Sequence, residues 1–182
     1  MKDINLANKL TMFRILLVPV FLGLLYFDFE LSRYVNNVYI AMAVFIIAAL
    51  TDFADGYIAR KFNQITDFGK FMDPLADKIL TFAAMLWFVR VDVMPAFLVL
   101  IVIVREFMVT GVRLVAAAKN MVIAASMFGK IKTTVTVICL ILMFLPLEYW
   151  MLVTCWLLIG TTTVVSGVDY FVKNKDLMKL DK

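Results

Sequence analysis

A chain of 182 residues that is 64% hydrophobic and only 18% charged departs from the roughly 45–50% and about 25% of ordinary soluble domains. Too little polar sequence remains to cover one water-soluble core, and the scarcity of Gly (7) and Pro (4) excludes collagen, disorder and loop-rich sandwiches. A formal charge of +4 does not point to nucleic acid, and the absence of histidine leaves metal or acid–base chemistry to carboxylates and lysines.

These proportions predict an all-α polytopic membrane protein. Residues 1–10 form a short interfacial helix, with Ile4, Ala7 and Leu10 on one side. Lys2, Lys9 and Arg14 ahead of an apolar run imitate a signal peptide, but no small-x-small cleavage site follows, so the run reads as a retained first span. A span needs roughly 20 mostly apolar residues, and the six candidates are 13–27, 38–60, 71–89, 94–118, 131–145 and 149–172. With the N-terminus inside, only Arg33 and Arg90 of the 18 Lys and Arg fall outside, so both termini are expected in the cytoplasm. Without a linker or an internal repeat, residues 1–182 read as a single domain.

Segment 51–78 breaks the rule that spans avoid ionisable residues, and such residues mark function by default. Asp52 and Asp55 stand at the inner end of the second span; Gly56 and Ala59 complete an i, i+3, i+4, i+7 stripe. That face combines two carboxylates with two very small residues, so it can hold a cation and admit a polar ligand to the backbone. After a short turn, Gly69, Asp73 and Asp77 recur every fourth residue at the start of the third span. Pro74 is expected in the first turn of that helix, where its missing N–H is harmless. Antiparallel neighbours would bring the four aspartates together at the cytoplasmic surface. Carboxylates so close repel unless cations neutralise them; hard divalent ions accept such oxygens, and two of them can clamp an in-line phosphoryl transfer. Arg60 and Lys61 stand alongside, suited to a phosphate. The plainer alternative is a solvated loop whose acids pair with Arg60, Lys61, Lys70 and Lys78.

The run Asp52-x2-Asp55-Gly56-x2-Ala59-Arg60-x8-Gly69-x3-Asp73-x3-Asp77 resembles the signature of the CDP-alcohol phosphotransferase family at every fixed position. The resemblance implies six-helix membrane enzymes, generally homodimeric, that use Mg2+ or Mn2+, two ions in all. They transfer a phosphatidyl-type group from a CDP-linked donor to an alcohol and release CMP. By that resemblance Asp52, Asp55, Asp73 and Asp77 bind the metals, and Asp77 is also the base for the attacking hydroxyl. Asp55, Gly56, Ala59, Arg60 and Gly69 line the cytidine diphosphate site. Residues 8–14 are similar to the family's N-x-L-T-x-x-R entry, with Ala7 where many members carry proline. Asn8 and Thr11 therefore lie near the nucleotide or, alternatively, cap the N-terminal helix.

The second half must choose the alcohol. Arg105 and Glu106 lie within the fourth span; Arg113, seven residues beyond Glu106, shares its face. Lys119, Lys130 and Lys132 gather around the inner loop and the start of the fifth span. An anionic acceptor needs such a group, because arginine forks match phosphate oxygens. Positive-inside topology accounts for Lys119 but not for the deeper Arg105, whose alternative is an ion pair with Glu106 or a neighbouring acid. Arg105-Glu106-Phe107-x3-Gly111-Val112-Arg113, followed by residues 129–133, resembles the branch that forms phosphatidylglycerophosphate. That implies CDP-diacylglycerol and sn-glycerol 3-phosphate as substrates, with Arg105, Arg113, Lys130 and Lys132 on the acceptor phosphate. Inositol phosphate or an uncharged alcohol stays open as acceptor. The implied location is the cell membrane, with the active site facing the cytoplasm.

Asp169 reads as a structural pairing or as support for a site cation, and Gly160 and Gly167 as a helix-packing face. Trp87, Tyr149 and Trp150 suggest an outer aromatic belt, and Cys139 and Cys155 are small buried hydrophobes. The rival class is an ion-coupled transporter, but its sites lie near the midplane, between repeats and on interrupted helices, none of which is visible.

Overall fold

The computed structural model describes residues 6–26, 37–62, 67–118, 121, 123 and 126–175, with side chains described outside 6–11, 14, 52–62, 67–77 and 118. Among the described residues six helices follow one another: α1 (Leu6–Tyr26), α2 (Asn37–Phe62), α3 (Asp67–Arg90), α4 (Ala96–Ala118), α5 (Met127–Met143) and α6 (Tyr149–Lys173). Among the described residues there is no strand. The chain divides into two compact units, Met1–Trp87 and Phe88–Lys182, with the boundary inside α3.

In the first unit α1 packs against α2. Phe21 is fully buried, and its ring lies 6.0 Å from that of Phe45. Ala41, Phe45 and Ala48, spaced four and three apart, are all buried, a seam in which small residues let a neighbouring backbone approach closely. From Leu6 onward the expected interfacial segment continues into α1 without a break, because nothing before Pro19 interrupts the helix. Pro19 itself sits mid-helix. Trp87 corrects the aromatic-belt expectation: it is 8% exposed, and its Nε1–H donates to the Leu25 carbonyl at 3.3 Å. α3 begins at Asp67, four residues before the expected start, so Pro74 lies beyond its first turn. Membrane helices accommodate such a proline by local adjustment of the backbone.

In the second unit α6 packs against both α4 and α5. The α3–α4 turn closes with Val93 N–H donating to the Phe88 carbonyl at 2.9 Å, while Asp92 takes a left-handed φ of 57°, which aspartate tolerates better than most residues. The Phe88 and Phe144 rings meet at a tilt of 56° with centroids 4.8 Å apart, and Trp156 Nε1–H donates to the Val93 carbonyl at 3.1 Å. Tyr149 and Trp150 are exposed at the start of α6, as an interfacial belt requires. A Cβ added at Gly160 would lie 3.3 Å from Leu98 Cδ1, which bears out the packing role read for that glycine. Cys139 and Cys155 are free and buried.

Much of the surface of α4 and α6 is apolar. Phe97, Leu100, Phe107 and Leu114 run along α4 at 60–67% exposure, opposite the buried Val102, Val109 and Ala116. Exposed apolar stripes on this scale mark a surface that meets a membrane or a partner. Among the described residues one helix, Tyr149–Lys173, is long and apolar enough to cross a membrane, with a mean hydropathy of 1.8. α4 carries Arg105, Glu106 and Arg113 across its length, and α5 has only 17 residues.

Candidate active site

α5 starts four residues earlier than its apolar run, and the cause is local. Ser126 is extended (φ −71°, ψ 153°), and its Oγ accepts the Gly129 N–H at 3.0 Å, a side-chain cap that satisfies one orphan donor of the first turn. Lys130 and Lys132 therefore both lie on helix. Residues two apart on a helix point to nearly opposite sides. Lys132 is 5% exposed, whereas Lys130 faces outward.

Lys132 reaches Glu106 on α4. Its Nζ donates to Glu106 Oε1 at 2.8 Å, and Arg105 Nη1 donates to the same oxygen at 2.7 Å. The side chains of Lys132, Arg105 and Glu106 are only 6%, 11% and 12% exposed. Two cations share one carboxylate, so the three groups carry one net positive charge in a poorly solvated place. Buried charges are tolerated when paired, and an unbalanced one favours a bound anion. Arg105 Nε is buried and has no hydrogen-bond partner among the described residues.

Two glycines shape the space around this guanidinium. A Cβ at Gly129 would sit 3.6 Å from Arg105 Nη2 and 3.3 Å from Ser126 Oγ. A Cβ at Gly167 would lie 3.4 Å from Arg105 Cγ, so the arginine stem runs close along α6. Arg113 is exposed, with its guanidinium carbon 5.8 Å from the centroid of the Tyr170 ring. Tyr170 is 2% exposed, and its hydroxyl has no partner among the described residues. Asp169 bonds Lys173 one turn on at 2.6 Å, the structural pairing considered for it.

Asn8 and Thr11 fall within α1; Asp52, Asp55, Gly56, Ala59 and Arg60 within α2; Gly69, Asp73 and Asp77 within α3. Their side chains lie outside the described residues. The backbone is helical through both aspartate runs, which is the condition under which spacings of three, four and seven fall on one stripe. Among the described residues no group of three or more His, Cys, Asp or Glu is placed to hold a metal.

The family model for CDP-alcohol phosphatidyltransferase matches residues 4–165. The chain belongs to the CDP-alcohol phosphatidyltransferase family. A Bacillus subtilis protein named CDP-diacylglycerol--glycerol-3-phosphate 3-phosphatidyltransferase is 44% identical, covering 96% of this chain and 97% of its own. A Rickettsia prowazekii protein of the same name is 33% identical over 93% and 94% of the two chains. One from Wigglesworthia glossinidia brevipalpis is 34% identical over 75% of each. As a CDP-alcohol phosphatidyltransferase, the chain is an enzyme of phospholipid synthesis.

Of the four cations assigned to an acceptor phosphate, Arg105 and Lys132 share Glu106 Oε1, whereas Arg113 and Lys130 are exposed. Sequence reasoning passed over Ser126 and the Tyr170 partner of Arg113. The serine three residues before Gly129 was a legible capping signal; the tyrosine, on another helix, left none.

Proposed function

We propose that this enzyme transfers the phosphatidyl group of CDP-diacylglycerol to sn-glycerol 3-phosphate, releasing phosphatidylglycerophosphate and CMP by direct displacement at the β-phosphorus. The names of its relatives support the reaction. The observation that carries the choice of acceptor is the buried Arg105–Glu106–Lys132 cluster, with its net positive charge and unpartnered Arg105 Nε. A neutral acceptor would leave that charge without a counterpart. Inositol phosphate shares the required phosphate, so the experiment below separates the two.

Asp77 takes the proton from the primary hydroxyl of the acceptor as that oxygen attacks. Arg105 and Lys132, joined by Arg113 and Lys130, hold the acceptor's phosphate and orient the hydroxyl. Asp55, Gly56, Ala59, Arg60 and Gly69, with Asn8 and Thr11, hold the cytidine diphosphate of the donor. Asp52, Asp55, Asp73 and Asp77 supply hard carboxylate oxygens that suit Mg2+ or Mn2+, and two such ions would neutralise the pyrophosphate and stabilise departing CMP. The donor's acyl chains stay in the bilayer throughout. Residues 1–182 act as one domain with six spans in the cell membrane, with both termini and the reacting groups on the cytoplasmic side, and the enzyme works as a homodimer.

The test is CMP release from CDP-diacylglycerol by purified protein, with glycerol 3-phosphate, inositol phosphate, serine or no acceptor. Release is expected only with glycerol 3-phosphate and only with a divalent cation. Chelation should abolish it, and Asp77→Asn should lower turnover by about 10²-fold or more. Release with another acceptor would keep the reaction class and discard this acceptor. A well-folded protein that releases no CMP with any of them, metal present, would refute the proposal.

A further inference from the structure

Glu106 accepts from both cations of the cluster through one oxygen, Oε1. Its partners come from different places: Arg105 is its neighbour on α4, and Lys132 lies 26 residues away on α5. Side by side, the ammonium and the guanidinium would repel each other; the carboxylate between them removes that repulsion. It also fixes how the guanidinium is turned. With Nη1 on Glu106 and the stem against Gly167, the Nε edge of Arg105 is left without a partner among the described residues although it is buried. The edges of a guanidinium are where phosphate oxygens bind in a fork.

We infer that Glu106 is a positioning residue for the acceptor's phosphate: it draws Lys132 Nζ and Arg105 Nη1 onto one oxygen and thereby presents the Nε edge of Arg105 to the ligand. Its own charge would repel a phosphate, so it acts through the two cations and does not touch the substrate. This inference rests on the proposed acceptor, because it names what that group of side chains is arranged for.

Two variants separate this role from a general structural one. Glu106→Gln keeps the shape and removes the charge; Glu106→Asp keeps the charge but shortens the reach to the two cations. In each, the KM for glycerol 3-phosphate is expected to rise about tenfold or more, while the KM for CDP-diacylglycerol stays within about twofold of wild type. A KM for glycerol 3-phosphate within about twofold of wild type in both variants would overturn the inference. So would a parallel rise in both KM values, the mark of a loosened fold. If Glu106→Gln does not give monodisperse protein, Glu106→Asp decides alone by the same criterion. Wild-type protein inactive with every acceptor overturns the function and this inference together, whereas active wild type with unselective variants overturns the inference only.

Discussion

Lys130 and Lys132 look equivalent in the sequence, but helical geometry turns them roughly 200° apart, and only Lys132 is buried. Replacing it therefore separates the chemistry of the cluster from its contribution to the fold. Lys132→Met leaves Arg105 and Glu106 as a neutral pair and fills the space with an apolar chain. No unpaired charge is left behind, so the loss of thermal stability in detergent is expected to stay below the roughly 3–5 kcal/mol that breaking an isolated buried pair costs. If Lys132 meets the acceptor's phosphate as proposed, turnover with glycerol 3-phosphate should fall at least about tenfold. Lys130→Met should give the smaller loss. Equal losses at the two positions would mean that burial does not decide which lysine meets the phosphate.

At the scale of the helix, α6 meets α4 along a face that contains both Gly160 and Gly167, and the two do not tolerate side chains alike. The position for a Cβ at Gly160 is already 3.3 Å from Leu98 Cδ1, and a branched side chain there adds two methyl groups for which Leu98 must make room. Gly160→Val is expected to lower stability by about 1–3 kcal/mol, read as a drop in the melting temperature in detergent. At Gly167 the nearest atom is Arg105 Cγ at 3.4 Å, an ordinary contact distance, so Gly167→Ala should cost less. A melting temperature unmoved by Gly160→Val would show that α4 and α6 do not rely on this contact.

For the whole molecule, the outward-facing apolar residues of α4 and α6 and the distribution of cations make one expectation about placement. With both termini in the cytoplasm, as proposed, a fluorescent protein fused after Lys182 should fluoresce and alkaline phosphatase fused there should be inactive. Alkaline phosphatase fused in the α3–α4 turn, after Asp92, should be active. Reversed signals would overturn the proposed orientation and move the aspartates to the wrong side for a cytoplasmic substrate.

Apolar run length and charge spacing are local properties, so the sequence alone determined six helices in order, the start of α6 at Tyr149 and the aspartate signature that marks the family. It also identified Arg105 as a cation too deep for topology to explain. Boundaries governed by polar residues slipped, as where Ser126 caps α5 ahead of its apolar run. Only the tertiary structure decided that Lys132 shares Glu106 Oε1 with Arg105, that Gly167 lies against the Arg105 stem and that Trp87 bonds to a carbonyl 62 residues away. The physical reason is that a 3.6-residue period tells which residues share a face of one helix, whereas the partner of that face is set by how the helices pack.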